Sequence, residues 1–240
     1  MDSTENARKI QPSTPYSSTT LIALIVIGLQ IVVAIGTYPF LPSVIPTHWD
    51  AAGNVNGYMP KFVNALFAPG VSIGIFLLMR VLPLASPRLS NQDPRATRSI
   101  INLLLVGILL FLLVLQIIIV AIALGISINV PFVVNLLVSA LFIFIGNYLG
   151  KLQRNFWAGI RTPWTLASDI TWERTHRLGG WLFVGAGVLG IVTSFIPALR
   201  VWGIVGLVLL VSAVLVVYSY VVYHQVETRG KNPVSPPFDA

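Results

Sequence analysis

Six apolar blocks dominate this sequence, and each is long enough to cross a bilayer of roughly 30 Å as a helix. They run over residues 21–41, 62–82, 100–126, 131–150, 180–196 and 201–223. Only 10% of the residues are charged, against roughly 25% in a soluble domain, and none of these lies in the middle of a block. The sequence therefore predicts an all-α integral membrane protein, a bundle of about six transmembrane helices.

The positions of the cations predict how this bundle is oriented. Only Lys61 and Arg200 fall on one side of the predicted membrane, and all other basic residues fall on the opposite side: Arg8, Lys9, Arg80, Arg88, Arg95, Arg98, Lys151, Arg154, Arg161, Arg174, Arg177, Arg229 and Lys231. Because cytoplasmic loops carry an excess of Lys and Arg, both termini and the loop between the fourth and fifth helices are predicted to be cytoplasmic. The prediction is a multi-pass protein of the cell membrane.

The blocks divide the chain into five regions. Residues 1–19 and 224–240 are rich in polar residues or Pro and are predicted to be a flexible and a disordered cytoplasmic tail. Residues 20–83 hold two spans and an outer loop, and residues 84–150 hold the third and fourth spans. Residues 151–223 hold a structured cytoplasmic loop and the last two spans, with Gly179-Gly180 predicted to break or hinge the chain before the fifth span.

Several function classes are excluded or disfavoured by residue content. The chain has no Cys, so disulfides, thiolate metal sites and Cys nucleophiles are ruled out. The net charge of +7 follows membrane topology rather than a phosphate-binding face, so we expect no direct nucleic acid partner. Gln30, Asn102, Gln116 and Asn135 lie within spans, where polar residues form hydrogen bonds between helices or line an ion path. We expect the hydrogen bonds.

The cytoplasmic loop, residues 155–181, is the most polar stretch of the chain and contains four Trp residues. Thr162-Pro163 and Ser168-Asp169 each predict the start of a helix, with a hydroxyl as the N-cap. Arg161 is suited to clamp a carboxylate or a phosphate, and His176 could change charge near neutral pH. The alternative is an aromatic belt with arginines that contact lipid phosphates. No catalytic residue and no cofactor is predicted.

The outer loop contains a second unusual stretch, with Pro46, His48, Trp49, Asp50, Gly53 and Asn56. These residues predict either an ordered turn held by side-chain hydrogen bonds or a contact site for an external ligand. A calcium loop is excluded by its spacing, because Ala52 and Lys61 stand where ligands are needed. No metal site is predicted here.

Two motifs resemble known families. LPSVIPTHWDAAGNVNGYMPK (residues 41–61) resembles the DUF1648 domain, which assigns residues 20–83 to a DUF1648-like region. NYLGKLQRNFWAGIRTPWTLASDITWERTHRLGGWLF (residues 147–183) resembles the SdpI family signature, which makes residues 151–223 an SdpI-like region. The resemblance assigns the inner-loop binding residues to Gly159, Arg161, Thr162, Pro163, Trp164, Thr165, Ser168, Trp172, Thr175, His176, Arg177 and Gly180.

The resemblance implies a non-enzymatic function. It implies a bacterial membrane protein that gives immunity to an extracellular peptide toxin and signals by holding a cytosolic transcriptional repressor at the membrane. The outer loop would then meet the toxin and the inner loop the repressor. Two alternatives remain open at this stage: a small transporter or exporter of peptide or lipid, and an intramembrane enzyme in which Arg161, Asp169 and His176 converge.

Overall fold

The computed structural model describes residues 18–85 and 94–231. Among these residues, six helices are long and apolar enough to cross a membrane: α1 (Ser18–Thr37), α2 (Lys61–Ala85), α3 (Pro94–Ala123), α4 (Val130–Leu149), α6 (Asp169–Ser194) and α7 (Trp202–Lys231). A short helix, α5 (Pro163–Ala167), lies between α4 and α6. The prediction of an all-α membrane bundle is confirmed, and the chain is a multi-pass membrane protein.

Helices α1, α2 and α3 pack around one apolar cluster that includes Val26, Ile27 and Leu109. Two glutamines tie α1 to α3 within this group. The Gln30 side-chain amide donates to the carbonyl of Leu109 at 3.2 Å, and the Gln116 amide donates to the carbonyl of Gln30 at 3.0 Å. Interhelical hydrogen bonds of this kind stabilise a membrane bundle by roughly 0.6 kcal/mol each. The predicted role of these two glutamines is confirmed.

Helix α4 packs closely against α6, and α7 also packs against α6. A side chain at Gly187 would place its Cβ 2.6 Å from the Ser139 carbonyl oxygen, and one at Gly180 would place it 2.9 Å from that of Gly146. Only glycine allows two helix backbones to approach this closely. Asn135 of α4 donates to the Arg200 carbonyl at 2.5 Å and so fastens the start of α4 to the turn before α7.

The predicted hinge at Gly179-Gly180 is wrong, because α6 runs without interruption from Asp169 to Ser194. Both glycines are buried inside this helix. Gly179 lies against Ile160, Leu149 and Leu215, and Gly180 lies against α4. Packing against these neighbours offsets the cost of about 1 kcal/mol that glycine carries in a helix relative to alanine. The two glycines therefore mark close approach and not a break.

The predicted disorder from residue 224 also begins too early, because α7 continues to Lys231. No proline interrupts this stretch, and the Thr228 hydroxyl donates to the carbonyl of His224 one turn earlier at 2.7 Å. Residues 232–240 lie outside the described residues. The predicted N-terminal tail, residues 1–19, also lies outside them except for its last two residues, which begin α1.

The loop between α1 and α2 folds as a β-hairpin, which the sequence did not predict. Strand β1 (Val44–Trp49) pairs antiparallel with β2 (Val55–Pro60), with bulges between Pro46 and Trp49. Ile45 is fully buried and anchors the hairpin in a cluster with Leu41 and Val120 of α3. At the tip, a Cβ on Gly53 would lie 3.4 Å from the ring of Pro131, so the hairpin also contacts the start of α4.

The hairpin and the loop between α4 and α6 therefore lie at opposite ends of α4. We refer to residues 151–181, which include this loop, α5 and the first turns of α6, as the loop module.

Candidate functional site

The loop module is built around Trp172 and His176, which lie one turn apart on α6. Their rings stack with centroids 3.9 Å apart and planes inclined by 17°. Trp172 is 2% exposed and His176 is 0% exposed. The indole N–H of Trp172 donates to the carbonyl of Leu152 at 2.7 Å, which draws the chain after α4 onto the stacked pair. These two motif residues form the core of the module and not its surface.

Hydrogen bonds fix the protonation state of His176. Its Nε2 accepts from the backbone N–H of Ile160 at 2.9 Å, so this nitrogen carries no proton. The Nδ1 atom faces the carbonyl of Trp172 at 2.9 Å and must donate the proton to it. Only the neutral ring with a proton on Nδ1 satisfies both contacts, because a charged imidazolium has no acceptor. The geometry therefore makes His176 a neutral bridge and argues against a charge switch.

Gly159 is the position where the loop turns against the His176 ring. Its φ is +116°, in the region that favours glycine. A Cβ here would overlap Nε2 of His176 and would lie 3.2 Å from the Trp172 ring. Gly159 therefore serves two needs at once, the backbone conformation and the space that the Ile160–His176 hydrogen bond requires.

The motif residues from Thr162 to Thr165 build the start of α5. Thr162 is the N-cap, and its hydroxyl accepts from the Thr165 backbone N–H at 3.2 Å, while the Thr165 hydroxyl accepts from the Thr162 N–H at 3.0 Å. Pro163 occupies the first helical position and is exposed. The predicted helix start is confirmed. The Thr162 hydroxyl also donates to that of Ser219 at 3.1 Å and so joins the module to α7.

Trp164 and Ser168 complete this part of the module. Trp164 is half-buried and meets the Tyr220 ring of α7 edge to face, with centroids 5.1 Å apart. The Ser168 hydroxyl accepts from the Thr171 N–H at 3.3 Å as the N-cap of α6, which confirms the second predicted helix start. Beside this cap, Asp169 pairs with Arg154 at 2.6 Å, and Arg154 also donates to the carbonyl of Leu166 at 2.7 Å.

The remaining motif residues divide between interior and surface. Thr175 and its neighbour one turn earlier, Thr171, are 0% exposed, and their hydroxyl oxygens have no hydrogen-bond partner. Gly180 is buried against α4. Arg177 is exposed. Arg161 is also exposed, and it donates to the carbonyl of Phe156 and lies over the Phe156 ring. Among the predicted binding residues of the module, these arginines present the accessible charge.

The predicted outer-loop residues lie on the hairpin. His48 and Asn56 are exposed and hydrogen-bonded to each other across the strands. Asp50 accepts from the backbone N–H groups of Ala52 and Asn54, each at 2.9 Å, and from the Asn54 amide at 3.1 Å. These bonds, led by the Asn54 N–H, hold the pKa of the Asp50 carboxyl below its usual value. The ordered turn held by side-chain hydrogen bonds is confirmed.

Three other outer-loop residues support this hairpin. Pro46 and Trp49 are half-buried and border the bulged part of β1. Gly53 has a φ of +90° and forms the tip that contacts α4. The binding role of the outer-loop residues stays a prediction.

Some residues that hold the site together were not predicted. Asn155 accepts from the N–H groups of Trp157 and Ala158, both at 2.8 Å, and so orders the loop after α4. Leu152 and Ile160 supply the backbone groups that meet Trp172 and His176. The only sequence signal was the Asn itself, a residue that bonds its own backbone in turns. The other two act through main-chain groups, which any residue type carries.

The side chains required by the enzyme alternative do not converge. His176 is buried with both ring nitrogens engaged, Asp169 pairs with Arg154, and Arg161 bonds to Phe156. Each of the three therefore serves a separate contact. Within the parts of the chain that the structure describes, no three His, Asp or Glu side chains come together as ligands of a metal ion.

The fold and site together define a six-span helical membrane protein with a hairpin at one end and a folded loop module at the other. Residues 151–222 match the SdpI/YfhL protein family, and residues 25–73 match a domain of unknown function, DUF1648. The resemblance seen in the two motifs is confirmed: the chain is an SdpI-like membrane protein with a DUF1648 region toward its N-terminus.

The chain is also similar to the immunity protein SdpI of Bacillus subtilis (strain 168). The two are 26% identical over 204 residues, which cover 85% of this chain and 94% of that protein. No solved structure gives a significant match.

Proposed function

We propose that this chain is a membrane immunity protein that meets an external peptide toxin through its hairpin and engages a cytosolic regulator through its loop module. The observation that carries the proposal is the similarity to an immunity protein over 94% of that protein's length. The similarity covers both the hairpin region and the module, so it extends to the two parts that a signalling immunity protein would need. It also favours a non-enzymatic function.

The shape of the hairpin supports an extended peptide as the external ligand. The sheet has two strands, so each strand has one unpaired edge. An extended peptide can add to such an edge through main-chain hydrogen bonds, while neighbouring side chains select its sequence. His48, Asn56 and Tyr58 are exposed around these edges, and Tyr58 is 64% exposed. Pro46 and Pro60 donate no main-chain hydrogen bond and would restrict where the peptide can pair.

A chain of direct contacts supports communication between the two ends. The hairpin tip at Gly53 lies against Pro131, the second residue of α4. At the far end of α4, Leu149 packs in one cluster with Trp172, the core of the module. A ligand that binds the hairpin more tightly in one placement than in another would shift the hairpin toward that placement, and α4 would move with it. Because α4 contacts the module, the shift would reach the module. We propose this contact chain as the route by which occupancy of the hairpin reaches the regulator.

A survival assay tests the proposal. Bacteria killed by the toxin against which the Bacillus subtilis protein protects would express this chain or a His48→Ala/Asn56→Ala variant. The two side chains are exposed and bond to each other, so removing both leaves the hairpin fold intact. We expect the wild-type chain to protect and the variant to lose at least tenfold in survival. The matched control is Leu209→Ala, which removes an apolar side chain that is 65% exposed on a span.

A second readout in the same strains tests the module. The fraction of the regulator that sediments with membranes would be measured with toxin present, for wild type and for Arg161→Gln. We expect the variant to keep protection and to lose regulator recruitment, whereas Glu173→Gln, a change at an exposed residue that is not among the assigned binding residues, keeps both. A well-inserted wild-type chain that gives no protection, while the Bacillus protein does, would contradict the immunity function for that toxin.

A further inference from the structure

One face of α6 carries a stripe of exposed side chains, of which only Arg177 belongs to the predicted binding residues of the loop module. Ile170, Arg174, Arg177 and Trp181 follow one another at spacings of four, three and four residues, so they lie on one side of the helix. Trp181 is 77% exposed and Ile170 is 49% exposed. These side chains face away from the buried pair Trp172 and His176, which lies on another side of the same helix.

The same face continues along α6 into the membrane span. Val188 and Val192 follow at helical spacing and are 49% and 55% exposed. An apolar side chain exposed on a membrane-spanning helix contacts lipid. The lipid-facing side of α6 therefore changes at Trp181 from apolar residues to the two arginines. Trp is the residue type enriched where acyl chains give way to headgroups.

A third basic residue, Lys151, follows a glycine that lies against the backbone of Arg177. A Cβ on Gly150 would lie 3.4 Å from the Arg177 Cα, which places the end of α4 and the next residue, Lys151, next to the stripe. The Lys151 ammonium lies 5.0 Å from the Tyr148 ring centroid. Among the described residues, neither arginine has a carboxylate within 4.0 Å, although Glu173 is one turn from Arg177, and Asp169 is already paired with Arg154.

We propose that Arg174, Arg177 and Lys151 bind the phosphate of an anionic phospholipid headgroup, while Trp181 packs beside the glycerol region of that lipid. A guanidinium donates two parallel hydrogen bonds to phosphate oxygens, which suits it to this ligand. We assign the phosphate to a lipid headgroup because the arginines continue the face of α6 that contacts lipid at Val188 and Val192. A lipid held there fixes how deep α6 sits in the bilayer, and with it the height of the loop module above the membrane.

Fluorescence quenching by brominated lipids tests the site. The protein would be reconstituted in vesicles of phosphatidylcholine with either brominated phosphatidylglycerol or brominated phosphatidylcholine. The component of quenching that disappears in Trp181→Phe reports the lipid beside Trp181. In wild type we expect the lipid beside Trp181 to be preferentially the anionic one. In Arg174→Gln/Arg177→Gln this preference should fall by roughly fivefold for each arginine removed, which is the effect of one cation near an anionic membrane surface.

Three controls define the outcomes. Arg174→Lys/Arg177→Lys keeps the charge and should retain most of the preference, and Glu173→Gln should not lower it. The wild-type preference should also fall as salt is raised, which tests the site without any substitution. Equal quenching of Trp181 by both lipids in wild type, or an unchanged preference in the glutamine variant, would overturn the proposal. A loss of the preference in inorganic phosphate that exceeds the loss in sodium chloride of the same ionic strength would show a free-phosphate site and overturn the lipid assignment.

Discussion

At the residue scale, the motif residue His176 takes its role from the two backbone groups that its ring meets. The N–H of Ile160 needs an acceptor inside the module, and the carbonyl of Trp172 needs a donor. A neutral imidazole supplies both at once, on opposite sides of one flat ring that also stacks on Trp172. The spacing of the motif around His176 therefore reflects how the loop closes onto α6.

Removal of the His176 ring should accordingly act on stability. His176→Ala leaves the buried N–H of Ile160 without an acceptor and opens a cavity beside Trp172, so we expect a loss of roughly 2–5 kcal/mol. The measurement is the midpoint of thermal unfolding in detergent. Glu173→Ala, an exposed change on the same helix, should stay within about 0.5 kcal/mol of wild type. Unchanged stability in His176→Ala would mean that the bridge does not hold the loop.

At the element scale, the contact between α4 and α6 depends on glycines that face backbone. Gly187→Ala would push a Cβ to within 2.6 Å of the Ser139 carbonyl oxygen, and a backbone atom yields only if the helices separate. We expect a loss of about 1–3 kcal/mol, measured as above. Gly185→Ala is the matched control, because a Cβ there meets nothing within 4 Å and improves helix propensity by up to about 1 kcal/mol. Equal effects of the two changes would contradict this packing.

Elements whose signals are local could be predicted from the sequence. Spans follow from runs of apolar residues, and helix starts at Thr162 and Ser168 follow from capping chemistry within three residues; both are local signals. The contacts that fold the module join distant residues, such as Ile160 with His176 and Thr162 with Ser219. Local patterns do not encode such pairs. The hinge predicted at Gly179-Gly180 was wrong for this reason, since the packing partners of these glycines are on other elements.

The hairpin was missed for a related reason. Its strands hold prolines and glycine, which are depleted in strands, and only Ile45 among the residues of β1 is buried. The alternation that predicts a strand is therefore weak. Its anchor is the cluster with Leu41 and Val120, and Val120 lies on a helix far along the chain.

At the scale of the whole molecule, everything proposed for the two ends depends on which side of the membrane each one faces. The cation distribution predicts that the hairpin is external and the loop module cytoplasmic. The structure adds that the two parts lie at opposite ends of α4, so one orientation fixes both. A chain inserted the other way would expose the module to the toxin and the hairpin to the regulator.

Because the chain has no Cys, a single introduced thiol reports its side of the membrane without background. Ala52→Cys lies at the exposed hairpin tip and Glu173→Cys on the exposed surface of the module. With a membrane-impermeant maleimide on intact cells, we expect labelling of Ala52→Cys alone, and labelling of both after permeabilisation. The reverse pattern would refute the orientation, and with it the assignment of toxin and regulator to their ends. The lipid site on α6 would then face the outer leaflet, where the quenching measurement still applies.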